Sequence, residues 1–264
     1  MTLLIETVEE VRSGVFNLQC LSDGNFQKLG SGSAFFSSGY LVTNFHVADI
    51  PEGTWMWVRR DGDCDHRFNG FVVPAKDWRK ALKRASEEHS YDYAILDLPT
   101  LRNRDDIHDF VLGPSQPAKI GTPIAFLGFP LDHDNLVCHS GHISSFRKSG
   151  VARIIQIDAS VNAANSGGPL IEPDTGRVIG TVSRKATGLS KVLDELKKSI
   201  ALNVRQLETS RQGIAVKVAG IDPTEVAIAT QNQLAATLGE IERQANVGIG
   251  YAIDAEHLIQ DWPD

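Results

Sequence analysis

The sequence predicts an all-β fold of barrels or packed sheets, interrupted late in the chain by a helical hairpin, and three observations carry this expectation. Short runs rich in β-branched and aromatic residues recur from Gly14 to Val182. Clusters of Gly, Ser, Asp and Asn separate them at close spacing, the rhythm of antiparallel structure. After Lys185 the apolar period changes from that of a strand to that of a helix.

The expected strands are Gly14 to Ser22, Gly30 to Phe36, Tyr40 to Phe45, Thr54 to Val58, Phe68 to Val73 and Tyr93 to Leu98. A second set comprises Pro123 to Leu127, Val137 to Ser145, Arg153 to Ile157, Pro169 to Ile171, Val178 to Val182 and Val247 to Ile253. Lys76 to His89 reads as a helical excursion, with Trp78, Leu82 and Ala85 on one face. The stretch Leu101 to Gln116, rich in Arg, Asp and Pro, reads as the connection between two β-units, residues 1–116 and 117–264. Leu189, Val192, Leu193, Leu196 and Ile200 then recur at helical spacing. Asp222, Pro223 and Glu225 form an N-cap, a first-turn proline and a capping-box acid for a second helix ending near Ala245. Residues 189–245 are therefore expected to form a helical insertion between two strands of the second unit.

Composition excludes several function classes. The net charge of −7 lacks the clustered cations that neutralise phosphates, so no nucleic-acid partner is expected. No apolar run approaches the roughly 20 residues of a membrane span. Residues 1–14 carry Glu6, Glu9 and Glu10 and lack a secretory leader pattern. Cys20, Cys64 and Cys138 are an odd number without a disulfide framework, and a reducing cytoplasmic location is expected.

Chemistry concentrates in three fragments. Asn165-Ser166-Gly167-Gly168-Pro169 places a serine in a Gly-rich turn, where substrate could approach and backbone N–H groups could converge on an oxyanion. A serine hydroxyl needs a base. His46 ends the strand-like run Leu41 to Phe45, and Asp92 stands just ahead of the apolar run Tyr93 to Leu98. Each fragment alone also reads as ordinary structure; together they give the order His, Asp, Ser. The alternating Asp61, Asp63 and Asp65 lack the glycine and bidentate acid of a calcium loop, with His66 and Val72 in those places. His133, Cys138, His139 and His142 offer zinc-type donors, but most of them fall on one expected strand whose alternate residues face opposite ways. No metal or other cofactor is expected.

These fragments resemble the trypsin-like peptidases, particularly the bacterial high-temperature-requirement (HtrA) proteases. Gly30 to Ser33, Thr43 to Val47, Tyr91 to Leu96, Asp158 to Leu170 and Gly248 to Ile253 carry the resemblance. It implies two antiparallel six-stranded β-barrels of the chymotrypsin-like kind, with His46 and Asp92 from the first and Ser166 from the second. It further implies a serine endopeptidase acting on polypeptides, with an oxyanion hole from the N–H groups of Ala164 and Ser166. Ser183 would support Asp92, and Ser183, Arg184 and Lys185 would line a groove that takes an extended peptide. Ser160 would floor the primary specificity pocket; with no acid there, small or medium apolar side chains are expected.

The sequence departs from the family where Ala164 replaces a usual glycine, which predicts an oxyanion hole completed only by a ligand or partner. Asn165 replaces the aspartate that binds a freed N-terminus in trypsin-type zymogens, so activation by N-terminal cleavage is not expected. No peptide-binding PDZ module is expected after the protease region, and the helical insertion is the expected site of a protein activator or self-association. The alternative reading is a catalytically silent scaffold of the same fold that binds peptides.

Overall fold

The computed structural model describes residues 2–61, 70–87, 90–102, 104–116, 118–130, 133–162, 164–183, 188–211, 222–245 and 248–263. They form two units, residues 1–184 with 248–264, and residues 185–247. Among the described residues the first unit carries thirteen strands: β1 (Val15–Leu21), β2 (Lys28–Ser37), β3 (Tyr40–Thr43), β4 (Trp55–Arg60), β5 (Phe71–Pro74), β6 (Leu82–Ser86), β7 (Tyr93–Leu96), β8 (Pro123–Gly128), β9 (Val137–Ser149), β10 (Ala152–Ile157), β11 (Pro169–Ile171), β12 (Val178–Ser183) and β13 (Gly250–Asp254). Its helices are α1 (Thr2–Val11), α2 (Phe45–Ala48), α3 (Ala75–Ala81) and α6 (Glu256–Gln260). The second unit holds α4 (Gly188–Arg211) and α5 (Pro223–Ala245).

Only one of the two expected barrels is closed. Strands β8 to β13 close in the order β10-β13-β12-β11-β8-β9, whereas β1 to β7 form an open sheet ordered β5-β4-β1-β2-β3-β7-β6. The reason lies between the two edge strands. Pro74, which has no N–H to donate, ends β5, and α3 follows directly before β6 begins at Leu82. Trp78 of α3 is buried in the sheet's core and donates its Nε1–H to the Ala48 carbonyl at 2.9 Å. A helix thus stands where a ladder between β5 and β6 would close the barrel. The expected excursion over Lys76 to His89 is corrected accordingly: residues up to Ala81 are helix, and Leu82–Ser86 pairs with β7 as a strand.

Strands of the first sheet are apolar on both faces because each face meets a different core. Phe16, Leu18, Ala34, Phe36, Leu41 and Leu96 point into the sheet's own interior. Their neighbours Val15, Phe35, Val42 and Ile95 point the other way and pack with Leu127, Phe129, Ile171 and Val178 of the closed barrel. The barrel has its own filling of Ile124, Phe126, Ile155, Ile157, Leu170 and Val182. Helix α1, missed by the strand-seeking reading, turns Leu4, Val8 and Val11 onto the shared core at helical spacing. The second unit is a packed helix pair, with Ile200 of α4 buried beside Leu238 of α5. Asp222 caps α5 by accepting the Thr224 N–H at 2.9 Å.

Trp78→Ala is expected to lower unfolding stability by about 3–5 kcal/mol, since it opens a large cavity and orphans the Ala48 carbonyl. Urea denaturation followed by circular dichroism measures it; a loss near zero would mean α3 does not hold the sheet.

Candidate active site

The path from β3 into α2 sets the position of His46. Thr43, the last residue of β3, donates its hydroxyl to the Ser33 carbonyl at 2.7 Å. Asn44 stays extended, at φ −74° and ψ 151°, and donates its amide to the Asp92 carbonyl at 2.8 Å. One helical turn then begins, so His46 lies on α2 rather than at a strand end.

Asp92 is wholly buried at φ +45°, a left-handed conformation that Asp tolerates better than most residues. Its carboxylate is surrounded by donors. Oδ2 lies 2.9 Å from His46 Nδ1 and accepts the Ser183 hydroxyl at 3.3 Å, while Oδ1 accepts the His46 N–H at 3.1 Å. An ionised carboxylate can only accept, so the imidazole proton resides on Nδ1 and Nε2 keeps a basic lone pair. The His46 side chain remains 32% exposed, which leaves that lone pair a way to a ligand.

Ser166, 4% exposed, sits on a turn that is tied to both sheets. The Ser33 N–H donates to the Ser166 carbonyl at 2.8 Å, and the Gly167 N–H donates to the Val182 carbonyl at 2.8 Å. Gly167 has φ +91°, and a Cβ there would lie 2.1 Å from the Ser33 carbonyl oxygen and 2.2 Å from the Thr43 hydroxyl. The glycine is therefore required by the protein's own backbone. It also brings the Ser166 turn against Asn44, two residues before His46.

Ala164 adopts φ +70°, a conformation that its Cβ disfavours. Its carbonyl accepts the Ser33 hydroxyl at 2.8 Å, and that hydroxyl in turn accepts the Phe129 N–H at 3.1 Å. Asn165 is buried with both side-chain amide atoms unpartnered among the described residues. A neutral amide tolerates this site far better than an uncompensated carboxylate would. Ser33, Thr43 and Asn44 were not singled out individually from the sequence. They lie in the two runs that carried the resemblance, and a search for polar residues inside apolar strands would have found the first two.

Ser160 is half-buried and accepts the Gly248 N–H at 2.7 Å. Two residues earlier, Asp158 is held below the ordinary carboxylate range, chiefly by the backbone N–H of His142. Arg184 and Lys185 lie outside the described residues, as do Cys64, Asp63, Asp65 and His66. Of the zinc-type donors, His139 stacks on Phe126 at 4.6 Å and burial holds its ring below the usual histidine range, while His142 turns to Asp158.

Against this geometry, the model of the trypsin-like peptidase domain matches residues 30–180. The chain is 32% identical over 169 residues to a probable periplasmic DegP-like serine endoprotease of Buchnera aphidicola subsp. Baizongia pistaciae, covering 61% of this chain and 32% of that protein. It is 30% identical over 180 residues to Protease Do-like 5, chloroplastic, of Arabidopsis thaliana, covering 64% and 53%. It thus spans about a third to a half of the length of these relatives. Deg5 shares the fold at a TM-score of 0.53 and 23% identity, covering 70% of this chain and 85% of that one. The HtrA-type protease AlgW with tripeptide does so at 0.52 and 23%, covering 68% and 54%. The names of the relatives overturn one expectation from composition: they are periplasmic or chloroplastic, so the inference of a cytoplasmic location from unpaired cysteines is corrected. Free thiols exclude a disulfide framework and do not report the compartment. A family match over residues 30–180, on a chymotrypsin-like fold with HtrA-type structural neighbours, establishes that this chain belongs to the trypsin-like peptidase domain family.

Proposed function

We propose that the chain is a serine endopeptidase working through His46, Asp92 and Ser166. One observation carries the reading: a buried carboxylate holds Nδ1 of a partly exposed histidine at 2.9 Å, on the same wall to which the Ser166 turn is hydrogen-bonded. In this reading His46 Nε2 takes the Ser166 proton as Oγ attacks the peptide carbonyl. The N–H groups of Ala164 and Ser166 stabilise the oxyanion. His46 then returns the proton to the departing amine, and a water molecule releases the acyl group by the same route. Asp92 fixes the tautomer and stabilises the imidazolium, with Ser183 holding the carboxylate in turn.

The substrate is a polypeptide in extended form, added as a strand alongside Ser183, Arg184 and Lys185. Ser160 floors the pocket for the residue before the scissile bond and selects small or medium apolar side chains. Residues 1–116 supply the base and residues 117–264 the nucleophile, with the helical insertion at 189–245 as the place where an activator or a second copy acts. The silent-scaffold alternative has no observation of its own in its favour.

Four variants test this. Ser166→Ala abolishes fluorophosphonate labelling and peptide hydrolysis with an unchanged circular dichroism spectrum, and Asp92→Asn lowers kcat about 10³–10⁴-fold; persistent labelling of the serine variant would sink the reading. Ala164→Gly removes a positive-φ cost of about 1–2 kcal/mol and labels at least as fast as the parent. Slower labelling would show that the alanine is not merely a tolerated strain. Replacing residues 189–245 by a short Gly-Ser link changes kcat/KM or the sedimentation coefficient; if neither moves in a folded enzyme, the insertion has no regulatory or assembly role.

A further inference from the structure

The residues on either side of Asp92 are both tyrosines, and both are held from one short helix. Tyr91 stacks on the ring of His257, with centroids 3.7 Å apart and a tilt of 31°. Tyr93 donates its hydroxyl to the Asp261 carboxylate. His257 lies on α6 and Asp261 caps its C-terminal end, so the two stand one turn apart on the same face. Burial and the Asp261 carboxylate both push the Tyr93 hydroxyl above its usual range, which keeps it a donor.

Helix α6 is itself rooted in the closed barrel. It follows β13, whose Tyr251 lies opposite Ser183 of β12. The Ala255 N–H donates to the Ile179 carbonyl of β12 at 3.1 Å, and the buried Asp254 carboxylate accepts the Glu256 N–H at 3.0 Å. Leu258 is buried in the core that Tyr93 shares, and Tyr91 packs with Ile154 and Ile253 of the barrel. Asp92 needs such support, because its φ of +45° is disfavoured and relaxes unless its neighbours are fixed. Its main-chain N–H and carbonyl are bonded to Glu87 and Asn44, both on the first sheet's part of the chain. The grip from α6 adds a hold that comes from the barrel.

Resting on the endopeptidase reading above, we propose that His257 and Asp261 are positioning residues: through Tyr91 and Tyr93 they hold Asp92 where its carboxylate meets both His46 of the first sheet and Ser183 of the barrel. The geometry leaves little latitude. Oδ2 serves His46 at 2.9 Å and Ser183 at 3.3 Å at once, and a displacement of about 1 Å breaks one bond or the other. Both residues act through the tyrosines rather than on the substrate, so their loss lowers kcat and leaves KM near its parental value.

The experiment measures kcat and KM of the full chain on one cleaved peptide, beside the nitrogen-15 NMR shifts of the His46 ring, assigned by their loss in His46→Gln. These shifts report which ring nitrogen carries the proton. Tyr93→Phe and Asp261→Ala each lower kcat about ten-fold or more with KM within about two-fold, and the double variant is no slower than the slower single one. Asp261→Asn, which keeps an oxygen for the Tyr93 hydroxyl, restores most of the rate. His257→Ala is slow as well, and His257→Phe, which keeps a ring for Tyr91, restores it. In the slow variants the His46 shifts move from the Nδ1-protonated form toward a mixture of tautomers, a change that a loss of packing elsewhere does not produce. Tyr93→Phe deletes one hydroxyl and leaves the exposed Asp261 solvated, so a folded protein is at hand even where an α6 variant unfolds. Fluorophosphonate labelling of the parent separates the two readings. A labelled parent for which folded Tyr93→Phe or His257→Ala keeps the parental kcat overturns the positioning role. An unlabelled parent overturns the hydrolase reading instead; the His46 shifts then decide the positioning role, and shifts unchanged in either variant overturn it.

Discussion

The site depends on the complete hydrogen bonding of one buried serine. Ser33 is wholly buried on β2, and all three of its polar groups are engaged, in four hydrogen bonds. Its N–H reaches the Ser166 carbonyl, its carbonyl takes the Thr43 hydroxyl, and its hydroxyl bridges Phe129 and Ala164. Each of these groups would cost about 1–3 kcal/mol if buried alone. The arrangement is therefore cooperative: the β3 end that leads to His46 and the turn that carries Ser166 are both bonded to the same residue, and neither shifts without orphaning a partner.

The two-core arrangement explains why such a residue can exist. A sheet with one wet face would solvate the polar groups on that face. Here β1, β2, β3 and β7 face their own interior on one side and the closed barrel on the other, so polar atoms at the seam have no water to fall back on. Ser33, Thr43 and Asp92 find partners there, whereas the buried amide of Asn165 has none among the described residues. The seam is also where Asp92 loses all exposure, which makes its donors, His46 and Ser183, obligatory rather than optional.

Strain is concentrated at the same place. Asp92 and Ala164 both hold positive φ, a conformation that costs a non-glycine residue about 1–3 kcal/mol. Both are over-determined by bonds to their neighbours, Asp92 through its carboxylate and carbonyl and Ala164 through its carbonyl. The open first sheet shows the opposite economy. Its edges are separated by α3, and Gly30 has open space where a side chain would stand.

Much of this was legible in the chain itself. Short runs rich in β-branched and aromatic residues, bounded by Gly, Ser, Asp and Asn, located most of the strands because each apolar side chain had a core to face, and the change to a helical period located α4 and α5 because capping and amphipathicity are local properties. The residues His46, Asp92 and Ser166 stood out through local motifs and their order. What neighbours in sequence could not decide was anything set by contact across the fold: that α3 keeps the first sheet open, that β6 pairs as a strand despite its charged residues, and that Ala164 is held at positive φ by a serine 131 positions away. Those outcomes depend on which groups lose water together, and the chain settles that only when its two β-units close on each other.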